Sequence, residues 1–370
     1  MAIKKNKQDT LVEKNLFQNE VTIGKINIEQ KMLFAKYCAI MLASGIPIVE
    51  TIRITVDQSS GKMRRVLIKV LKTIETGQKL SDALAKFPKV FSELYVNMVK
   101  IGEESGTLEQ NFTYIASQLK KDKELRDKIK GALIYPITVL GAAGILGFSF
   151  ALFVLPQLSG FFSGLRIELP LSTRILLWLS NFFDQYGIEV FLVVVVGGSF
   201  LAWVIRQKFS QPVVHWIVLR IPIVKGVVKY TNLIQFCRTL SLLLKSGLTI
   251  DNALKITHNT VSNYYFKQAI TDITKHVKRG ASVSEHIAFH EDIFPKIVSR
   301  LVSVGEKSGR IEENLNYLAD FFDDELDNTT KSLSTALEPV MLIFIGLVVA
   351  ALAISIITPI YEITGNITQQ

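Results

Sequence analysis

Apolar residues along this chain follow two patterns. From Ile28 onward they recur with a helical period, which predicts a series of short amphipathic helices. Met32, Leu33, Tyr37, Ile40 and Met41 share one face of a first helix that should stop at Ser44-Gly45. Pro47 suits the opening turn of a second helix, with Val49, Ile52 and Val56 inward. Val66 to Thr76 continues the pattern to Gly77, and Leu80 to Phe87 forms a short helix stopped by Pro88. Phe91 to Ile101 leads into Gly102, and Thr107 to Leu133 reads as one long helix. The other pattern is continuous. Pro136 to Pro156 and Pro339 to Pro359 hold no charged residue, and at 1.5 Å per residue each reaches roughly 30 Å, one bilayer core. Pro136 should sit in the first turn of its span, where a missing N–H costs nothing. Gly141, Gly144 and Gly147 offer a strip for close helix contact. Val190 to Ile205 is a shorter second span.

The pattern repeats. Gly102-Glu103-Glu104-Ser105-Gly106 returns as Gly305-Glu306-Lys307-Ser308-Gly309, 203 residues later. Tyr114 then pairs with Tyr317, Pro136 with Pro339 and Pro156 with Pro359 in the same register. Ser44-Gly45 pairs with Ser246-Gly247 at 202. Matches in register over so long a stretch indicate a tandem duplication.

The expected class is therefore all-α: a polytopic membrane protein with two homologous cytoplasmic six-helix bundles and three transmembrane helices. Its parts run as a flexible cytoplasmic arm (1–27), a first helical domain (28–133) and a first span (134–156). An external loop (157–187) follows, with Leu171, Ile175, Trp178, Leu179, Phe182 and Phe183 on one face of a surface-lying helix. After the second span (188–206) come an interfacial linker (207–230), the second helical domain (231–336), the third span (337–360) and an external tail (361–370). The amino terminus has no apolar signal-peptide core, so the first domain is expected in the cytoplasm.

Composition refines this reading. Hydrophobic residues make up 49% of the chain and charged residues 20%, which suits apolar spans joined to soluble domains. The net charge of +9 could suggest nucleic acid, but the basic residues cluster beside the apolar runs, as at Lys120 to Lys130, and point to a bilayer instead. The same bias places both bundles in the cytoplasm and the carboxyl terminus outside. Cys38 and Cys237 do not occupy equivalent positions and read as reduced core thiols.

Motifs for chemistry are missing. No P-loop, His-Glu-x-x-His, Gly-x-Ser-x-Gly or Cys-x-x-Cys occurs. His286 and His290, beside Glu285 and Glu291, could hold zinc, but read more simply as surface histidines. Spans without ionisable residues speak against a transporter. For the repeated corner, Gly102 and Gly305 can end one helix while Gly106 and Gly309 start the next. Glu109 and Glu312 would then meet the free N–H groups of that next helix. Glu103 and Glu306 are left to structure or to a partner. Lys120, Lys121 and Asp122 stand where Asp323, Asp324 and Glu325 stand in the other copy, so opposite charges could dock the copies or subunits together.

The two Ser-Gly corners, the two Gly-Glu-x-Ser-Gly corners, Ala132-Leu133-Ile134-Tyr135-Pro136, Leu337-Glu338-Pro339 and the linker Ile221-Pro222-Ile223-Val224-Lys225-Gly226 together resemble the type II secretion system F family. The resemblance covers the chain from about Gln30 to Tyr361. It implies a non-enzymatic platform in the inner membrane, without cofactor or metal and without nucleic acid. Its implied partners are a hexameric secretion or pilus-assembly ATPase, major and minor pilins or pseudopilins, other inner-membrane assembly proteins, the lipid bilayer and further copies of itself. The positions it marks are Gly102, Glu103, Ser105, Gly106 and Pro136 in the first copy, and Gly305, Glu306, Ser308, Gly309, Glu338 and Pro339 in the second. Tyr135 replaces the second copy's Glu338, so the two sites need not act alike. A membrane scaffold unrelated to filaments, or a duplicated transporter, are the competing readings.

Overall fold

The computed structural model describes residues 26–149, 171–205, 207 and 209–367. Every regular element among them is a helix. The first copy contributes α1 (Ile28–Ala43), α2 (Ile48–Gln58), α3 (Gly61–Glu75), α4 (Leu80–Ala85), α5 (Glu93–Ser105) and α6 (Leu108–Ser149). Then come α7 (Leu171–Ile205) and α8 (Gln211–Arg220). The second copy contributes α9 (Pro222–Lys245), α10 (Ile250–Thr260), α11 (Tyr264–Val277), α12 (Val283–Ala288), α13 (Lys296–Ser308) and α14 (Ile311–Ile367).

The chain divides into two units. The first joins Met1–Asp127 to Lys229–Asp324 and so holds helices of both copies; the second joins Lys128–Val228 to Glu325–Gln370. Within the first unit each copy has its own core. In one, Phe34, Phe91, Tyr95 and Phe112 form an aromatic cluster with centroids 5.0 to 6.4 Å apart. In the other, Phe236 and Phe266 both meet Phe294, at 5.0 and 5.5 Å. All six phenylalanines are buried, and each buried ring of this size contributes about 1.5–3 kcal/mol. α3 shows why the helices form: Met63, Val66, Leu67, Val70 and Ile74 return to one face every three or four residues and are buried.

The first helix faces the other way from expectation. Phe34, Ala35, Cys38 and Ala39 are its buried side chains, while Leu33, Tyr37 and Ile40 are exposed. α1 is apolar almost all round, so its period alone offers two faces, and the aromatic cluster selects the one carrying Phe34. Cys38 and Cys237 are buried and free, and burial pushes both thiols up.

In the second unit, two stretches among the described residues are long and apolar enough to cross a membrane, within Leu108–Ser149 and Gln185–Ile205. Both are parts of longer helices. Pro136 stands in the middle of α6, and Pro339 in the middle of α14, instead of opening a new helix. Each interior proline removes one i→i−4 hydrogen bond, a loss that apolar helices make good locally. The surface helix expected before the second span is likewise continuous with it in α7. Pro156 and most of the expected external loop lie outside the described residues. The third apolar stretch, Pro339 to Pro359, runs along α14.

Candidate functional site

The repeated corner joins α5 to α6 and α13 to α14. Gly106 and Gly309 terminate α5 and α13 in the left-handed conformation, at φ 73° and 71°. Their N–H groups bond back to the carbonyls of Gly102 and Gly305, and the next residues, Thr107 and Arg310, bond to the same carbonyls at 2.9 and 3.0 Å. The expected assignment is therefore reversed. Gly102 and Gly305 lie inside their helices, and it is Gly106 and Gly309 that end them.

Gly102 and Gly305 serve a different purpose. A Cβ on Gly102 would lie 2.9 Å from Cα of Leu108, and one on Gly305 would lie 2.7 Å from Cα of Ile311. The following helix doubles back so closely that only hydrogen fits between the backbones. Asn111 and Asn314 brace the same corners. Asn111 Nδ2 donates to the Thr107 carbonyl at 3.0 Å, and Asn314 Nδ2 to the Leu301 carbonyl at 3.0 Å. Ser105 donates to the Ile101 carbonyl at 2.7 Å and shares a 2.6 Å contact with the Thr107 hydroxyl. Ser308 reaches the Gly305 carbonyl only at 3.5 Å.

Glu103 and Glu306 point into the fold. Glu103 Oε1 accepts from the N–H of Leu80 at 2.5 Å, and Oε2 from the N–H of Ser81 at 3.0 Å and from its hydroxyl. Glu306 Oε1 accepts from the N–H of Val283 at 2.7 Å, and Oε2 from the N–H of Ser284 at 3.1 Å and the hydroxyl of Ser282 at 2.6 Å. α4 and α12 are six-residue helices with no side-chain cap of their own. Each thus has its free N–H groups satisfied by a carboxylate from a helix later in the chain. Partial burial raises the Glu306 carboxyl. The Ser282 and Ser284 hydroxyls and the backbone N–H groups outweigh it, so the group is held below the usual value. Glu109 and Glu312 sit in the first turns of α6 and α14, where they complement the helix dipole.

The charge clusters of the two copies also meet. In the first unit, Lys121 of α6 pairs across the copies with Asp320 of α14 at 3.4 Å, and within the second copy Arg238 of α9 pairs with Asp323 at 3.2 Å. In the second unit, Lys128 pairs with Asp327 at 3.0 Å. Burial pushes the Asp122 carboxyl up, opposed by Arg238 and Arg126 and by the Gln118 amide. The sequence offered opposite signs on α6 and α14; it did not offer Arg238, one of four cations on α9, to which the fold brings Asp122 and Asp323.

His286 stacks on His276 with centroids 4.2 Å apart, and His290 Nε2 lies 3.3 Å from Asp272 Oδ2. Among the described residues no three His, Cys, Asp or Glu side chains converge as metal ligands would.

Comparison with known proteins bears on these corners directly. The family described as Type II secretion system (T2SS), protein F matches the chain twice, at residues 34–156 and 236–359, so that each match contains one corner. A Type IV pilus assembly protein PilC from Thermus thermophilus is 32% identical over 339 residues, which is 91% of this chain and 83% of that protein. PilC of Pseudomonas aeruginosa is 29% identical over 90% of each chain. A Type II secretion system protein F from Aeromonas hydrophila is 28% identical over 90% of this chain and 86% of its own.

Proposed function

This chain belongs to the type II secretion system protein F family, and from that premise we propose that it is the inner-membrane platform of a type IV pilus or type II secretion machine. In this reading both helical copies lie in the cytoplasm, three helices cross the membrane, and the carboxyl terminus lies outside. The copies engage a hexameric assembly ATPase, and its motion is passed to pilins or pseudopilins that leave the bilayer for a growing filament. The platform is not itself an enzyme.

One observation carries this reading. α6 runs unbroken from the corner at Gly106 through the apolar stretch to Ser149, 42 residues or about 60 Å, and α14 does the same over 57 residues. A helix continuous from a helical copy into an apolar stretch is a suitable element for passing displacement along its axis. Basic residues beside the first span, from Lys120 to Lys130, favour the proposed orientation. In the corners, Glu103 and Glu306 are engaged in capping α4 and α12, which suits a mechanical joint better than a reaction centre.

The test is crosslinking in native membranes followed by purification through an amino-terminal tag and identification of the attached proteins. Recovery of an assembly ATPase together with pilin-like proteins is the expected result. Recovery of neither, under conditions that keep other membrane complexes whole, would return the chain to the reading of a scaffold unrelated to filaments.

A further inference from the structure

Within the first unit the two copies meet head to tail. The first copy presents α5 and α6. Glu93 Oε2 accepts from Asn259 Nδ2 at 2.6 Å, Met98 Sδ takes the Ser246 hydroxyl at 3.3 Å, and the Tyr114 ring faces the Lys245 ammonium at 5.0 Å. The second copy presents α9 and α10, which carry those partners. On that face of α9, Arg238 and Thr239 are only 4% and 1% exposed. Apart from the Lys121–Asp320 pair between the equivalent helices α6 and α14, the contact is thus heterologous: each copy uses a face that the other does not.

A heterologous contact between two like copies leaves two like faces unused. In the first copy, the face equivalent to that of α9 is on α1, because Phe34 and Ser44 match Phe236 and Ser246. It carries Leu33, Tyr37 and Ile40, which are 41%, 39% and 52% exposed. In the second copy, the face equivalent to that of α5 and α6 is on α13 and α14. There Val304 and Tyr317 are 56% and 62% exposed, while their counterparts Ile101 and Tyr114 are half-buried. Charge follows the same rule. The pair Glu93 and Asn259 corresponds to Lys296 and Asp57, an exposed cation and an exposed anion.

We propose that the Leu33–Tyr37–Ile40 face of α1 takes up the Val304–Tyr317 face of α13 and α14 from a second copy of this chain, repeating between molecules the contact that joins the two copies within one. Lys296 then meets Asp57 across that interface. The arrangement is directional, so it builds a ring where the rotation closes and an open row where it does not. It stands apart from the filament reading, since it needs neither ATPase nor pilin.

The experiment uses the full chain in detergent, followed by light scattering across a range of concentration. Ile40→Glu and Tyr317→Glu should each weaken self-association at least tenfold. Mixed together, the two variants should form one-to-one dimers and nothing larger, because each retains the face that the other has lost. A monomeric wild type, single variants that associate like wild type, or a mixture that stays monomeric would each overturn the proposal. A second readout covers the case of a variant that misfolds. Differently tagged chains with Ile40→Cys and Val304→Cys should join to each other through a short bis-maleimide, and the absence of that mixed product also overturns it. The native cysteines are buried and should not compete.

Discussion

The Glu306 carboxylate accepts the N–H of Val283 at 2.7 Å across 23 residues of chain, and Glu103 stands in the same relationship to Leu80 at 2.5 Å, again across 23 residues. Each is a helix cap supplied from outside its helix. A charged cap with several donors contributes about 1–2 kcal/mol. Glu306→Ala should therefore destabilise the second copy by about that much and Glu306→Gln by less, with faster amide exchange over Val283–Ala288. Unchanged exchange there in Glu306→Ala would mean that the cap is incidental.

The two glycines of each corner should respond differently. Gly305→Ala forces a Cβ to within 2.7 Å of Cα of Ile311, and backbone cannot rotate out of the way, so about 1–3 kcal/mol is expected. Gly309→Ala meets no atom but must hold φ near 71°, at about 1–2 kcal/mol. Gly309→Asn should cost least, since Asn visits that region more easily. The thermal midpoints of the three variants check the order, and a Gly305→Ala protein as stable as wild type would refute the close approach.

Acid should act on the second copy through Glu306. Its carboxyl is held below the ordinary value of 4.5 in the fold, so the unfolded chain binds the extra proton first. Stability from this group is complete above 4.5 and is lost as pH falls through the lower folded value. Unfolding midpoints of wild type and Glu306→Gln, followed from pH 6 downward, should converge as that group protonates. Parallel curves would assign the acid sensitivity elsewhere.

The ion pairs where the copies meet are unequal. Lys121 and Asp320 are 37% and 56% exposed, so Lys121→Met should cost less than about 1 kcal/mol. The Arg238 side chain is 5% exposed and serves both Asp323 and the half-buried Asp122, so Arg238→Met leaves uncompensated charge and should cost about 3 kcal/mol or more. Chemical unfolding of the two variants measures the ratio. Equal losses would show that the pair at Arg238 is solvated in practice.

Much of this was open to reading from the chain itself. The duplication, the helical class and the apolar stretches follow from local composition and period, which depend on nothing distant. The family resemblance rests on the same short corners that the family match later covered twice. The corners' internal roles were harder to read. A Gly-Glu-x-Ser-Gly string contains two glycines, either of which can end a helix, and the fold separates them: Gly106 takes the left-handed φ of 73°, while a Cβ on Gly102 would lie 2.9 Å from Leu108. Pro136 and Pro339 looked like helix starts because a proline interior to a helix normally breaks it, whereas here both helices run on through them.

The sequence by itself determined which segments are helical and that they come twice, because backbone hydrogen bonding and amphipathic period are local properties. Tertiary structure decided which side of each helix is inside and which distant group completes each end. α1 is apolar on both sides, and the aromatic cluster around Phe34 buries one side while Leu33, Tyr37 and Ile40 stay at the surface. Nothing near α4 in the chain reveals that Glu103 caps it, since a carboxylate can satisfy N–H groups at any separation that packing brings within 3 Å.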